Sequence, residues 1–288
     1  MLNFTKAVGI ALSLLSISSL ACDIEGKTGF MPDNDMYISA SEKSSNGMDQ
    51  ARFNQIIDRA IEFYTPIIAE KGAKLKVERK WTDGTVNAYA RQDGKTWSVF
   101  MFGGLARHQD VTPDGFALVL CHELGHHLAG APKKKMFLFK TWASNEGQSD
   151  YWAAAKCFRR IYESDNNDEI VESMDIDPEV EKKCNAVWSN KADLDMCKRI
   201  SQASKGLAKL LNGGREVSFT TPDKTVVSKT DHNHPKGQCR LDTYFNGALC
   251  DKDFNEEVSD RDAKVGVCNR SERYDIGVRP LCWYKPSR

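Results

Sequence analysis

The chain has 288 residues, 41% of them hydrophobic, and its 40 basic and 40 acidic residues cancel. That is enough apolar chain for one substantial core. The balanced charge argues against nucleic acid as a partner.

Lys6 precedes an apolar stretch, Ala7 to Leu20, that is too short to span a bilayer comfortably. Ser19-Leu20-Ala21 supplies small residues of the kind signal peptidase prefers, so residues 1–21 read as a signal peptide. The mature protein is expected to be exported, periplasmic or outer-membrane-associated. Lipidation of Cys22 is the further option, although the leucine sits one position late for a lipobox. Residues 22–47 lack hydrophobic periodicity and read as a tether. A helix is expected from Met48, with Phe53, Ile57, Ala60, Ile61 and Tyr64 on one stripe, stopping near Pro66 or at Gly72.

Leu75, Val77 and Trp81 alternate with charged residues, which suggests a strand. Val86 to Arg91 and Thr96 to Phe102 flank Asp93-Gly94 and read as a hairpin. Thr112-Pro113-Asp114 is an N-cap, a proline at the first helical position and an acidic first turn, so a helix runs from there to about Gly130. A second helix begins near Ser144 or Asn145 and runs to about Tyr162. Asp177-Pro178 and Asp193 read as further N-caps, for helices ending near Trp188 and at Asn212-Gly213-Gly214. From about Arg215 the chain reads as irregular and cysteine-rich.

Nine cysteines fit an exported chain, and setting Cys22 aside leaves eight, an even number. Cys184 and Cys197 flank a short connection between helices and are the favoured pair. Cys121 reads as a buried core thiol, because a residue beside a histidine points away from that histidine's face.

The chemistry lies in His122-Glu123-Leu124-Gly125-His126, the HExxH signature. Histidines four apart lie about 40° apart around a helix, with Cβ atoms roughly 6 Å apart, so both can reach one Zn²⁺. Glu123 is placed as general base toward the water that zinc activates. Glu146 on the next helix offers the third ligand, and Asp150, four residues on, can orient a ligand. Three protein ligands and an open fourth position mark a catalytic rather than a structural zinc. The extended metzincin pattern is absent, since Ala129 and Pro132 replace its glycine and third histidine. His127 is rotated off the ligand face, toward the surface or the periphery of the site.

Val86-Asn87-Ala88, the Asp93-Gly94 hairpin, Gly104-Leu105, His122-Glu123-Leu124-Gly125-His126-His127, Glu146-x-x-x-Asp150 and His234-Pro235-x-x-x-x-Arg240 occur in this order. The set resembles gluzincin metallopeptidases of family 48, which include the heat-shock protease HtpX, CAAX prenyl proteases and soluble periplasmic quality-control proteases. The resemblance covers roughly residues 48 to 245. It implies His122, His126 and Glu146 as zinc ligands, Glu123 as base and Asp150 as the partner of a ligand histidine. It also implies that the strand Thr96–Phe102, through Trp97, Val99 and Met101, is the edge to which a substrate backbone adds. The chain departs from the membrane-embedded members, because nothing after the leader is long and apolar enough to span.

Two readings of His234 and Arg240 stand. In one, the His-Pro loop reaches the cleft, where His234 caps the zinc, or His234, Arg240 or Tyr244 steadies an oxyanion. In the other, Pro235 fixes a turn and Arg240 pairs with an acidic residue. Lys133-Lys134-Lys135 likewise reads either as a solvated loop or as a basic lip touching anionic lipid or unfolded substrate.

The expected fold is α+β: a gluzincin-like pair of zinc helices on a small, mainly antiparallel sheet over residues 48–245, followed by a cysteine-rich extension over 246–288. The expected function is a zinc endopeptidase of the cell envelope with polypeptide substrates. Its activity should fall below about pH 6, because ligand imidazoles must be neutral. The alternative is a non-catalytic or latent zinc-containing, chaperone-like binding protein of the envelope.

Overall fold

The computed structural model describes residues 27–136 and 139–286; the expected signal peptide and Cys22 lie outside the described residues. The chain runs through β1 (Lys27–Gly29), α1 (Gln50–Glu70), β2 (Lys74–Lys80), β3 (Ala88–Asp93), β4 (Thr96–Phe102), α2 (Gly103–Arg107) and α3 (Pro113–Leu128). There follow β5 (Lys133–Met136), β6 (Phe139–Ser144), α4 (Glu146–Trp152), a π-helical turn (Ala153–Cys157) and α5 (Phe158–Tyr162). The helices α6 (Asn167–Glu172), α7 (Pro178–Val187), α8 (Lys191–Leu211) and α9 (Gly237–Ala248) complete the order used below. The class is α+β, and among the described residues no helix is long and apolar enough to cross a membrane.

The Asp49 side chain accepts the Arg52 N–H at 2.7 Å and starts α1, whose buried stripe is Phe53, Ile56, Ile57, Ala60, Tyr64 and Ile68. Exposed Pro66 is tolerated within this helix, and Gly72, at φ 74°, ends it. The four-stranded sheet has the order β1-β3-β4-β2 and is mixed. β4 pairs antiparallel with β3 across the Asp93-Gly94 turn and parallel with β2, while β1 runs antiparallel along the outer edge of β3. The stretch expected as a tether therefore supplies a strand, and its Phe30 is fully buried.

α3 starts on Thr112, whose Oγ1 accepts the Gly115 N–H at 3.0 Å. Asp114 through His127 are all buried, so this helix has no solvent face and forms the centre of the molecule. Gly125 lets α4 cross it closely: a Cβ there would lie 3.0 Å from Ser149 Cα. The sheet and α1 pack on one side of α3, and α8 on another.

Four disulfides join Cys121–Cys157, Cys184–Cys197, Cys239–Cys282 and Cys250–Cys268. The pair at Cys184–Cys197, between α7 and α8, is as expected. Cys121 is not a free core thiol. It faces away from the histidine face, but the helix it faces carries Cys157, and the bond ties α3 to the segment that continues α4. α8 is capped by Asn190, which accepts the Asp193 N–H at 2.9 Å, rather than by Asp193 itself. The region from Arg215 is not wholly irregular, since it contains α9. Residues 279–283 fold back on α4: a Cβ on Gly147 would lie 2.3 Å from Trp283 Cδ2, and Arg279 donates to Gln148 Oε1 at 2.9 Å.

Opening the Cys121–Cys157 bond frees a loop spanning a sequence separation of 36. Replacing both cysteines by alanine is expected to cost roughly 3–4 kcal/mol, read as a lowered midpoint in urea; an unchanged midpoint would show that the bond carries no stability.

On α9, burial pushes the Asp242 carboxyl from 3.8 up to about 6, outweighing the hydrogen bonds it accepts from the Asp223 N–H and Gln238. The folded chain thus holds a proton that the unfolded chain releases from about pH 4 upward. This group's stabilising contribution is present at low pH and is lost as pH rises through 6. Asp242→Asn should therefore raise the melting temperature relative to the parent more at pH 7.5 than at pH 4. Equal differences at the two pH values would refute the assignment.

Candidate metal centre

Two helices bring the candidate ligands together. The spacing on α3 sets His122 Nε2 and His126 Nε2 3.1 Å apart. Asn145 caps α4 by accepting the Gln148 N–H at 3.0 Å, which makes Glu146 the first residue of that helix. Glu146 Oε2 lies 3.2 Å from His122 Nε2 and 3.6 Å from His126 Nε2. Ligand atoms about 2.0–2.1 Å from one tetrahedral zinc stand roughly 3.3–3.4 Å apart, and these separations bracket that value. His122, Glu123, His126 and Glu146 are fully buried.

The rear of each imidazole is fixed. The His126 Nδ1–H donates to Ser144 O at 2.9 Å, and the His122 Nδ1–H donates to Asp150 Oδ1 at 2.7 Å. Asp150 in turn accepts Arg240 Nη2 at 2.6 Å and Arg240 Nε at 2.7 Å. With both Nδ1 atoms occupied, both Nε2 atoms face the centre. Burial works against a charge on Asp150, yet Arg240 and His122 hold its carboxyl down at about 2. Burial also opposes a proton on His122, but Asp150 and Glu146 outweigh it and raise this imidazole to about 9. A positive charge is therefore favoured where these ligand atoms converge. Burial drives His126 well below its usual range.

Glu123 differs from its neighbours. Both of its carboxylate oxygens are buried and lack a hydrogen-bond partner among the described residues. Burial, helped by Glu146, pushes this carboxyl up to about 8. An unsatisfied buried carboxyl costs free energy and calls for an explanation.

The remaining candidates fall in different places. His234 Nε2 lies 3.5 Å from Glu146 Oε2 and donates to Gly29 O at 2.8 Å, so the His-Pro loop does reach the centre. Arg240 does not face a substrate: it is fully buried behind His122, bound to Asp150 and donating through Nη1 to Phe30 O. Tyr244 is buried beside the same two side chains. Neither is an oxyanion donor, because α9 brings them to the rear of the imidazole.

Trp97, Val99 and Met101 do not form an edge. β4 is interior, since β2 takes its second side in parallel; Val99 and Met101 are core residues, and Trp97 stacks on His127. His127 is neither exposed nor part of the site. It lies between Trp97 and Trp142, with ring centroids 5.3 and 4.9 Å away, donates from Nε2 to Ser98 O and is held down at about 3 by burial.

Lys133 and Lys134, read either as part of a solvated loop or as a basic lip, lie instead on β5, which pairs antiparallel with β6. Lys134 is buried and reaches Glu146 Oε1 at 2.9 Å, while Lys133 pairs with Asp260 at 2.8 Å. The Lys135 side chain lies outside what is described. Lys134 and Phe30 are the site neighbours that sequence reasoning missed; only the pairing of β5 with β6 and of β1 with β3 reveals them.

Comparison with protein-family models, with curated proteins and with solved structures finds no match to this chain.

Replacing Arg240 by leucine would leave Asp150 charged and without its cation in the interior. A loss of about 3–5 kcal/mol in folding stability is expected, measured by denaturant titration. A loss below about 1 kcal/mol would mean that the pair does not hold α9 to α4.

Proposed function

We propose that this protein is a zinc-dependent endopeptidase that hydrolyses extended or misfolded polypeptides in an oxidising compartment outside the cytoplasm. The observation that carries this reading is Glu123: a fully buried carboxyl with neither oxygen partnered among the described residues, beside three converging candidate ligand atoms. A merely structural metal site needs ligands and has no use for such a group. The four disulfides and the leader-like N-terminus support export.

His122 Nε2, His126 Nε2 and Glu146 Oε2 would hold the ion. Zinc bound there would supply Lewis acidity, polarising the scissile carbonyl and lowering the pKa of water from 15.7 to about 7. Glu123 would take one proton from the attacking water and deliver it to the leaving amine nitrogen, so that the amide and water become a carboxylic acid and an amine. Asp150 and Arg240 orient His122, and Lys134 holds Glu146 Oε1 so that Oε2 faces the histidines. The complete burial of His122, Glu123, His126 and Glu146 favours a second reading, a latent or non-catalytic zinc-containing protein of chaperone type.

Metal content and cleavage of unfolded casein test the two readings together. The wild type should carry about one zinc per chain. Glu123→Gln should retain that zinc and cleave about 10²–10⁴-fold more slowly. Zinc-loaded wild type that cuts no faster than Glu123→Gln would sink the hydrolase reading.

A further inference from the structure

The segment that enters the described fold at Lys27 lies along β3, a strand that packs on the helix carrying His122 and His126. β3 packs on α3, and its Tyr89 lies within electrostatic reach of Glu123. Its outer edge is covered from Asn87 to Arg91 by Lys27–Met31, which runs antiparallel to it. Phe30 N–H donates to Ala88 O at 3.0 Å, Met31 N–H donates to Asn87 Oδ1 at 3.3 Å, and Asn87 Nδ2 donates back to Met31 O at 3.1 Å. This is the way an extended peptide adds to a sheet edge.

The same segment touches the centre. His234 donates to Gly29 O and stands 3.5 Å from Glu146 Oε2. The Phe30 ring meets His122 edge-on at 5.4 Å, with the Arg240 guanidinium 4.6 Å from its own centroid. At Gly29 a Cβ would lie 2.8 Å from Tyr89 Cε1, so a small residue is called for there and an aromatic one next to it.

We propose that Lys27–Met31 is a self-bound strand occupying the polypeptide-binding edge of the site, and that an extended polypeptide with a small residue followed by an aromatic one reaches the centre by replacing it. The proposal rests on the hydrolase reading only in what happens after binding. It moves the docking edge from β4, where sequence put it, to β3, and it accounts for the burial of the centre by the chain's own N-terminal segment.

Backbone pairing supplies the test. Because Phe30 and Ala88 form a hydrogen-bonded pair, the alternation of an antiparallel ladder makes Thr28 and Ala90 the next such pair, whereas the Lys27 N–H points away from β3. Thr28→Pro therefore removes a ladder bond, and Lys27→Pro is the matched control. Gly29→Ala is a second, independent way to loosen the strand, through Tyr89. Binding of a fluorescent peptide copying residues 27–33 is measured by anisotropy, with all variants in full-length, zinc-loaded Glu123→Gln protein.

Thr28→Pro and Gly29→Ala should bind the peptide about tenfold more tightly than the parent, with Lys27→Pro unchanged. A peptide with serine in place of its phenylalanine should bind about tenfold more weakly to every form. Folded variants that bind no more tightly than the parent, or that lose zinc and bind less, would overturn the proposal and make the segment a support of the metal centre. Casein cleavage in the Glu123 background separates the two ideas. Tighter peptide binding without any cleavage leaves the strand proposal standing and removes the hydrolase reading. Cleavage by the wild type with unchanged peptide binding does the reverse.

Discussion

A buried guanidinium organises this molecule. Arg240 has no exposed surface, and a charge so placed must be matched within the protein or the fold does not hold. Asp150 matches it with two hydrogen bonds and gives its remaining capacity to His122 Nδ1. One ion pair thereby fixes α9 against α4, α4 against α3, and the imidazole that faces the centre. The backbone of Phe30 is tied to the same guanidinium, so the segment around Phe30, α9 and the two helices that carry the candidate ligands meet at one charge.

The other supports of the centre act on the position of α4. Cys121 and Cys157 covalently join α3 to the segment that continues α4. Gly125 brings the helices within van der Waals contact, and Trp283 closes over Gly147 from the far side. The cysteine-rich tail, for which the sequence suggested no role, thus presses the Glu146 helix onto α3. A disulfide to α9 at Cys239–Cys282 holds Trp283 there.

Local signals were the legible part of the sequence. Thr112-Pro113 starts α3, Asn145 starts α4, Asp93-Gly94 turns the hairpin, and the i,i+4 histidines share a face because helix geometry demands it. What was not legible depends on residues far apart in the chain. The partner of Cys121 lies on another helix, and β4 became interior because β2 paired with its other side. Lys134 turned inward once β5 paired with β6. α9 was hidden although Leu241, Tyr244, Phe245 and Ala248 form a buried stripe at helical spacing, because no side chain caps its start at Lys236 and Arg240, Asp242 and Thr243 interrupt the apolar pattern.

The central claim is that two imidazoles and one carboxylate hold a zinc ion. X-ray absorption at the zinc edge of the purified protein tests it most directly. The predicted first shell is two imidazole nitrogens and oxygen at about 2.0–2.1 Å, with no sulfur. A shell without imidazole scattering, or one containing thiolate sulfur at about 2.3 Å, would contradict it.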